Sequence, residues 1–372
     1  MHFGFDAEQI AGRDTVAALL DKQCSLPALQ EAWAAGSGAP LRGLWDELAA
    51  LGVQGLLAPT DVGGSGLDEV TMALVLAETG RVALPLPIME TAAVGVPLVA
   101  AVGDPAGVLP RLIDGSLLLT LVTGSGRSGG SGGSAGSAKS GGSVGSVGSV
   151  GSAGSGASSE SAGSGGWVGL APAAGLADLF LVDGPGGTVL YRRDEVDLDP
   201  VGSVDRTRDL ARVRPRPGRA GAGTWLGQGP IADRAALGAA AQLIGLGSEL
   251  VRTTVDYVKA RHQFGVPIGS FQAVKHHLAD ATLQMEFAAP AVWAAAALGE
   301  GAADRARAVS MAKAMASDAA TGAARTALQC HGAMGYTDDY HLHLWLKRVW
   351  CLAGAHGSAA WHRDRVGREL GI

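Results

Sequence analysis

The sequence predicts an α+β fold, mainly α, laid out as helices, then strands, then helices. Three observations predict it. Apolar residues recur at helical spacing in the first third and the last third of the chain. Short apolar runs bounded by Gly, Pro and Asp fill the middle. The apolar residues are mostly Ala, Leu and Val, and aromatics make up only 5%, a composition that favours close-packed helices.

The first part is expected over residues 1–118. In Leu41–Leu57, the residues Leu41, Leu44, Trp45, Leu48 and Leu51 fall on one helical stripe, and Gly52 sits where that helix would stop. Pro59 to Gly66 is a turn-rich loop. Leu67–Arg81 reads as a second helix, ended by Pro85 and Pro87. The second part is expected over 119–227. Leu179–Val182 and Val189–Tyr191 read as strands joined by the turn Asp183-Gly184-Pro185-Gly186-Gly187. Inside it, 124–166 is almost all Gly, Ser and Ala. Such a tract buries too little apolar surface to offset its ordering entropy, so a disordered surface loop is expected. As a free coil its ends would average roughly 35 Å apart. The third part is expected over 228–372. Arg234–Tyr257 carries Leu237, Ala241, Ile244, Ser248, Val251 and Val255 on one expected buried stripe. Further helices are read over Ser270–Leu298, Asp304–Cys330 and Tyr340–Leu370.

Several functions are set aside at this level. The net charge is −6 and no Lys/Arg block stands out, so no nucleic-acid partner is expected. Cys24, Cys330 and Cys351 are odd in number and widely spaced, which gives neither a disulfide framework nor a zinc site. His276/His277 and His341/His343 are poorly spaced for one ion, and no metal is expected. No apolar run reaches the ~20 residues of a membrane helix. Met1 to Asp14 lacks the basic start and apolar stretch of a signal peptide. A soluble, cytoplasmic protein is the expectation. Gly124-Ser125-Gly126-Arg127-Ser128-Gly129 fits G-x-G-x-x-G, but a Gly/Ser tract follows it where a dinucleotide fingerprint needs a helix.

Two segments carry chemistry. Arg261-His262-Gln263-Phe264-Gly265-Val266-Pro267-Ile268-Gly269-Ser270-Phe271-Gln272 joins two helices and offers a guanidinium, amides and an aromatic in one turn. Arg binds phosphate in a bidentate fashion, and Phe or Gln can meet a ring or a ribose. Gln329-Cys330-His331-Gly332-Ala333-Met334-Gly335-Tyr336 ends a long helix with two glycines that let a backbone approach a bulky cofactor. By spacing alone, each also reads as an ordinary helix end.

Taken together, R-x-Q-F-G-x-P-I-x-x-F-Q followed by Q-x-H-G-x-x-G-Y resembles the acyl-CoA dehydrogenase family. Leu44–Pro59, Gly63-Gly64-Ser65-Gly66 and Leu74–Glu78 resemble its N-terminal helices, and Ala171–Val182 its β-domain. The resemblance implies an N-terminal helical domain, a central β-barrel domain and a C-terminal four-helix bundle. It implies FAD at a subunit interface of a homodimer or tetramer. Arg261 would meet the FAD pyrophosphate, with Gln263, Phe264 and Gln272 in the same segment. Gln329, Gly332 and Gly335 would receive the adenosine half from the neighbouring subunit. The implied reaction is α,β-desaturation of an acyl-CoA or acyl carrier protein thioester, with electrons passed to an electron-transfer flavoprotein.

The sequence departs from the family at the base. The glutamate that abstracts the α-proton falls on His356 at one family position and near Ala235 at the other. Three explanations stand. His356 acts as base, its ordinary pKa of about 6.5 suiting the task. Asp233 substitutes, although it is turned about 200° from position 235. Or the chain is a non-catalytic partner subunit of a heteromer. In the β-domain the family's Thr-Glu-x-x-x-Gly-Ser segment falls on Leu119 to Gly126. Thr120 matches it as a flavin contact and the Glu is absent.

Overall fold

The computed structural model describes residues 4–124, 168–184, 186–216 and 223–372. The expected disordered tract and the G-x-G-x-x-G match lie, apart from their first residue Gly124, outside the described residues.

The order of elements is the one the sequence predicts. The N-terminal part holds α1 (Ala7–Gln23), α2 (Leu26–Ala35), α3 (Arg42–Ala50) and α4 (Glu69–Arg81), then a π-helical stretch Met89–Gly95 that continues into α5 (Val96–Ala101), and α6 (Leu109–Ile113). Helix α1 starts at a capping box in which Asp6 accepts from the Gln9 N–H and Gln9 accepts from the Asp6 N–H. Helix α4 starts at Asp68, which accepts from the Thr71 N–H. The expected first helix is cut at Ala50, and Gly52 takes φ 81°, a conformation open to glycine without strain. Trp45 is fully buried, and its indole N–H donates to the Gly115 carbonyl at 2.8 Å.

The middle part contains two sheets. β1 (Leu119–Val122), β3 (Leu179–Gly184), β4 (Gly187–Arg192) and β7 (Thr224–Gly227) form the first, in the order β1-β3-β4-β7. β2 (Gly169–Ala171), β6 (Ala211–Pro215) and β5 (Val196–Pro200) form the second. Among the described residues a single bridge, Thr123 to Leu170, connects them edge to edge. β1 runs parallel to β3, so the chain between them must cross over. The β3–β4 hairpin closes at Gly184 opposite Gly187, at the expected turn.

The C-terminal part is a bundle of α7 (Ile231–Ala260), α8 (Gln272–Ala297), α9 (Arg305–His331), α10 (Leu342–Gly354) and α11 (Ala359–Leu370). A two-residue hairpin, β8 (His262–Gln263) with β9 (Val266–Pro267), sits between α7 and α8. The expected single stripe on α7 is corrected. Ser248 is exposed, and nearly every residue from Ala235 to Leu250 is buried, because α4, α8, α9 and α10 surround the helix. Gly245 allows this closeness: a Cβ there would meet the Ala77 carbonyl oxygen at 1.8 Å. Arg348 on α10 joins all three parts. It pairs with Asp205, donates to the Leu84 carbonyl at 2.8 Å and donates to the Thr207 hydroxyl at 2.7 Å. Burial works against a charge on Asp205, but Arg348 and the Thr207 hydroxyl hold its carboxyl below the usual range.

Candidate cofactor site

Helix α7 ends at Arg261, whose N–H still donates to Tyr257 O at 2.9 Å while its own carbonyl accepts from Ile268 N at 2.8 Å. This clamp closes the β8–β9 hairpin around two turn residues, Phe264 at φ 55° and Gly265 at φ 82°. Two positive φ angles in succession are the mark of a tight turn matched to strand twist. Glycine takes that conformation freely, whereas a bulky Phe is strained in it. The strain does not serve packing, since Phe264 is 92% exposed, its ring standing edge-on to that of Phe271. A strained, exposed aromatic points to a surface that meets something. The side chains of Arg261, Gln263 and Gln272 are exposed and have no hydrogen-bond or ion-pair partner among the described residues.

The second segment lies at the same end of the bundle. His331, at the end of α9, stacks on Tyr257 of α7 with ring centroids 4.0 Å apart, and its Nδ1 is 2.8 Å from Ala327 O. Gln329, two residues before it, is exposed and without a partner among the described residues. Gly332 takes φ 57°, ψ −136°, with open space where a Cβ would stand. Gly335 is buried, and a Cβ there would lie 3.0 Å from Leu328 and 3.2 Å from His331. Tyr336 beyond it is 77% exposed. The structure therefore brings Arg261, Gln263, Phe264, Gln272, Gln329, Gly332 and Gly335 to one end of the bundle. One unpaired guanidinium, three unpaired amides, an exposed ring and an open glycine suit the phosphate and nucleoside end of a dinucleotide.

The other candidates are elsewhere and are engaged. Thr120 is fully buried and donates its hydroxyl to Pro172 O at 2.5 Å, so the expected flavin contact is turned inward. Asp233 accepts from both terminal nitrogens of Arg365, at 2.5 and 3.2 Å. His356 lies in the tight link between α10 and α11 at φ 56°, followed by Gly357 at φ 102°. His362 holds that link through Nε2, 3.0 Å from His356 O. Lys313, fully buried on α9, donates to Ser317 Oγ at 3.0 Å and to the carbonyls of Ala353 and Gly357, each at 3.2 Å.

The electrostatics of this link oppose a base. Burial, with Arg208, Lys313 and His362 adding positive potential, pushes the His356 imidazole down to about 3. Burial likewise lowers Lys313 to about 7 and His362 to about 4. His356 Nε2 is sealed from solvent and has no partner among the described residues. Sequence reasoning missed three groups near this junction: Lys313, Arg348 and Glu90. Glu90 sits on the fully buried π-helical stretch, and burial holds its carboxyl above the usual range against the pull of Arg208 and Arg348. π-helical turns are common at functional sites, but the surrounding run Met89–Val99 is apolar enough to read as plain core. Among the described residues, no three His, Cys, Asp or Glu side chains gather as a metal site would require, and no helix is long and apolar enough to cross a membrane.

Comparison with known proteins shows the family. The acyl-CoA dehydrogenase N-terminal domain model matches residues 6–116, and the acyl-CoA dehydrogenase C-terminal domain model matches residues 230–371. The acyl-CoA dehydrogenase IpdE2 of Mycobacterium tuberculosis is 30% identical over 356 residues, covering 93% of this chain and 90% of its own length. Two solved structures share the fold. The ChsE4-ChsE5 complex of Mycobacterium tuberculosis matches with a TM-score of 0.80 at 22% identity, over 100% of this chain and 99% of that one. The glutaryl-coenzyme A dehydrogenase glutaryl-CoA complex matches with a TM-score of 0.81 at 19% identity, over 100% and 97%. The expected cofactor is that of the family, FAD, and on both the domain models and the full-length relative the chain belongs to the acyl-CoA dehydrogenase family.

Proposed function

We propose that this chain is a subunit of a heteromeric FAD-dependent desaturase of acyl thioesters, and that it completes the FAD site of a partner subunit which carries the proton-abstracting carboxylate. The observation that carries the reading is the exposed, unpaired set at one end of the bundle: Arg261, Gln263, Phe264 and Gln329. These residues form half of a nucleotide site and need a second chain to supply the other half. FAD, when bound, supplies the hydride acceptor for α,β-desaturation. This chain's own part is to bind and orient: Arg261 neutralises pyrophosphate charge, the glutamines offer hydrogen bonds, and the Gly332 backbone leaves room for the nucleoside.

The same reading accounts for the base position. An imidazole held at about 3 is far from the range that suits proton abstraction near neutral pH. With Asp233 bound to Arg365, none of the three sequence candidates for this chain's own flavin and base is available. The name of the ChsE4-ChsE5 relative describes a complex of two chains, which supports a heteromer here. The thioester is assigned to coenzyme A, and electrons leave to an electron-transfer flavoprotein.

The test is a visible spectrum of the purified chain, alone and co-expressed with a candidate partner, before and after anaerobic addition of acyl-CoAs. The expected result is a colourless chain alone and a flavin-loaded complex bleached by one acyl-CoA, with flavin content lowered by Arg261→Met in this chain. A chain that purifies alone with flavin and is bleached by a thioester overturns the reading and makes His356 the base to test. Bleaching of the complex only by an acyl carrier protein thioester moves the substrate to that class.

A further inference from the structure

The β-domain holds a cavity of about 540 Å³, within the ~300–1,000 Å³ range of small-molecule sites. Its floor is apolar and reaches the core: Leu117 is 6% exposed, Leu179 1% and Val196 2%, with Leu198 beside them. Its rim carries three arginines, Arg192, Arg193 and Arg216, and two acids, Asp178 and Asp194. Backbone bonds gather them. Arg192 faces Leu179 across the β3–β4 hairpin, the Arg193 N–H donates to Asp178 O at 2.9 Å, and the Arg216 N–H donates to Glu195 O at 2.9 Å. Glu195 spends its carboxylate on backbone N–H groups, Oε2 on Arg192 at 2.7 Å and Oε1 on Gly223 at 3.3 Å.

The rim charges are held in place but incompletely paired. Arg193 donates from Nη1 to the carbonyls of Ala174 and Ala177, and Arg192 donates from Nη2 to the Ala106 carbonyl at 3.3 Å. Neither guanidinium has a carboxylate within ion-pair distance among the described residues. Arg216 pairs with Asp197 through Nε at 2.9 Å and donates from Nη1 to Asp194 O at 3.0 Å, which leaves Nη2 unspent. Asp178 spends Oδ2 on the Leu118 N–H at 2.9 Å, and its Oδ1 has no partner among the described residues. Two neighbouring cations without a counter-ion raise the local potential and attract an anion. One cavity therefore offers unspent donors, an unspent acceptor and an apolar floor.

We infer that this cavity binds a nucleoside diphosphate, with its phosphates on Arg192, Arg193 and Arg216 and its base over Leu117, Leu179 and Val196. Guanidinium groups match phosphate oxygens in a bidentate fashion. A bare phosphate would leave the apolar floor idle. A fatty acid would leave Asp178 Oδ1 covered without a donor, which is costly. A nucleoside phosphate joins an anion, a planar body and N–H or O–H donors in one molecule. The inference goes beyond the cofactor reading and shares no residue with it: the Arg261 segment belongs to the bundle, and this cavity to the β-domain.

The full chain is titrated with ADP up to about 1 mM by isothermal titration calorimetry. Arg192→Met removes an exposed guanidinium that makes one long bond to the fold, so thermal unfolding is expected to stay unchanged. The expected result is saturable ADP binding, weakened at least about 10-fold by Arg192→Met and unaffected by Arg261→Met. Inorganic pyrophosphate is expected to bind at least about 10-fold more weakly than ADP. No saturable heat, equal affinity in Arg192→Met, or pyrophosphate as tight as ADP overturns the inference. So does ADP binding lost in Arg261→Met alone, which would place the nucleotide at the bundle. Coenzyme A is the competitor that separates two sources of the same chemistry: displacement of ADP assigns the site to the nucleotide end of that molecule, and no displacement assigns it to a free nucleotide. Flavin content of the complex tests the cofactor reading separately. A complex whose FAD is indifferent to Arg261→Met rejects that reading alone, and ADP binding indifferent to Arg192→Met rejects this site alone.

Discussion

The two loops that follow long helices of the bundle are opposites. The loop after α7 presents Arg261, Gln263 and Phe264 to the outside, with no partner for their polar groups among the described residues. The link after α10 is closed inward. His362 and Lys313 hold its carbonyls, Ser358 caps α11 through the Trp361 N–H at 3.3 Å, and the His356 Nε2 is sealed from solvent. Both contain a non-glycine residue at positive φ, 55° at Phe264 and 56° at His356. The same local strain thus serves two ends. At Phe264 it displays a ring, and at His356 it turns a short link whose carbonyls are held by Lys313 of α9 and His362 of α11. Backbone strain marks a constrained position, and only the surroundings say whether the constraint concerns a ligand or the fold.

The largest effect that would sharpen this contrast lies in the closed region. Arg348→Leu leaves Asp205 buried without its cation, and a cost of about 3–5 kcal/mol is expected in urea unfolding. A loss under 1 kcal/mol would show that the three parts do not depend on this junction. The second effect is acid sensitivity. The imidazoles of His356 and His362 are depressed from 6.5 to about 3 and about 4 in the fold. The unfolded chain therefore binds more protons in that window, and stability falls as the pH drops from about 6.5 towards 3. His356→Phe is expected to recover about 3 kcal/mol at pH 4 relative to pH 7. Equal urea midpoint shifts in variant and wild type would mean that the imidazole is not sealed.

The open region predicts smaller changes in stability and larger ones in binding. Arg261→Met is expected to weaken FAD binding by the complex about 10- to 100-fold, the worth of one charge-assisted hydrogen bond. It should move the chain's own unfolding free energy by no more than about 0.5 kcal/mol. A matching loss of stability would make Arg261 structural and break the comparison. Smallest of all, Phe264→Asn relieves a bulky residue at positive φ and is expected to stabilise the isolated chain by about 0.5–1 kcal/mol in thermal unfolding, while lowering affinity for the partner. Destabilisation would show that the ring packs within the chain.

Helices α3 and α4 were legible from apolar spacing and from the stops at Gly52 and Pro85, and the end of α7 from Gly265 and Pro267. Met89–Ala101 carries no period to read because nearly all of it is buried, on every side. The division of the last helical stretch into α10 and α11 was equally hidden, since it turns on His356 taking φ 56°. Of the site, the Arg261 and Gln329 segments were legible because each is continuous in the chain. Lys313 was not, as it reaches carbonyls 40 and 44 residues away.

By itself the sequence determined the helix–strand–helix order, the family, and the two segments proposed to hold half of a nucleotide site, because periodicity and short motifs are local properties of the chain. Only the tertiary structure decided which candidates are open to a ligand. Asp233, Thr120 and His356 are polar residues with plausible chemistry in isolation, and the fold gives them Arg365, the Pro172 carbonyl and a sealed, positively charged surrounding. Burial and partner choice are set by residues tens to hundreds of positions away. Arg348 meets Asp205 across 143 residues and Leu84 across 264, distances over which the sequence alone carries no readable signal.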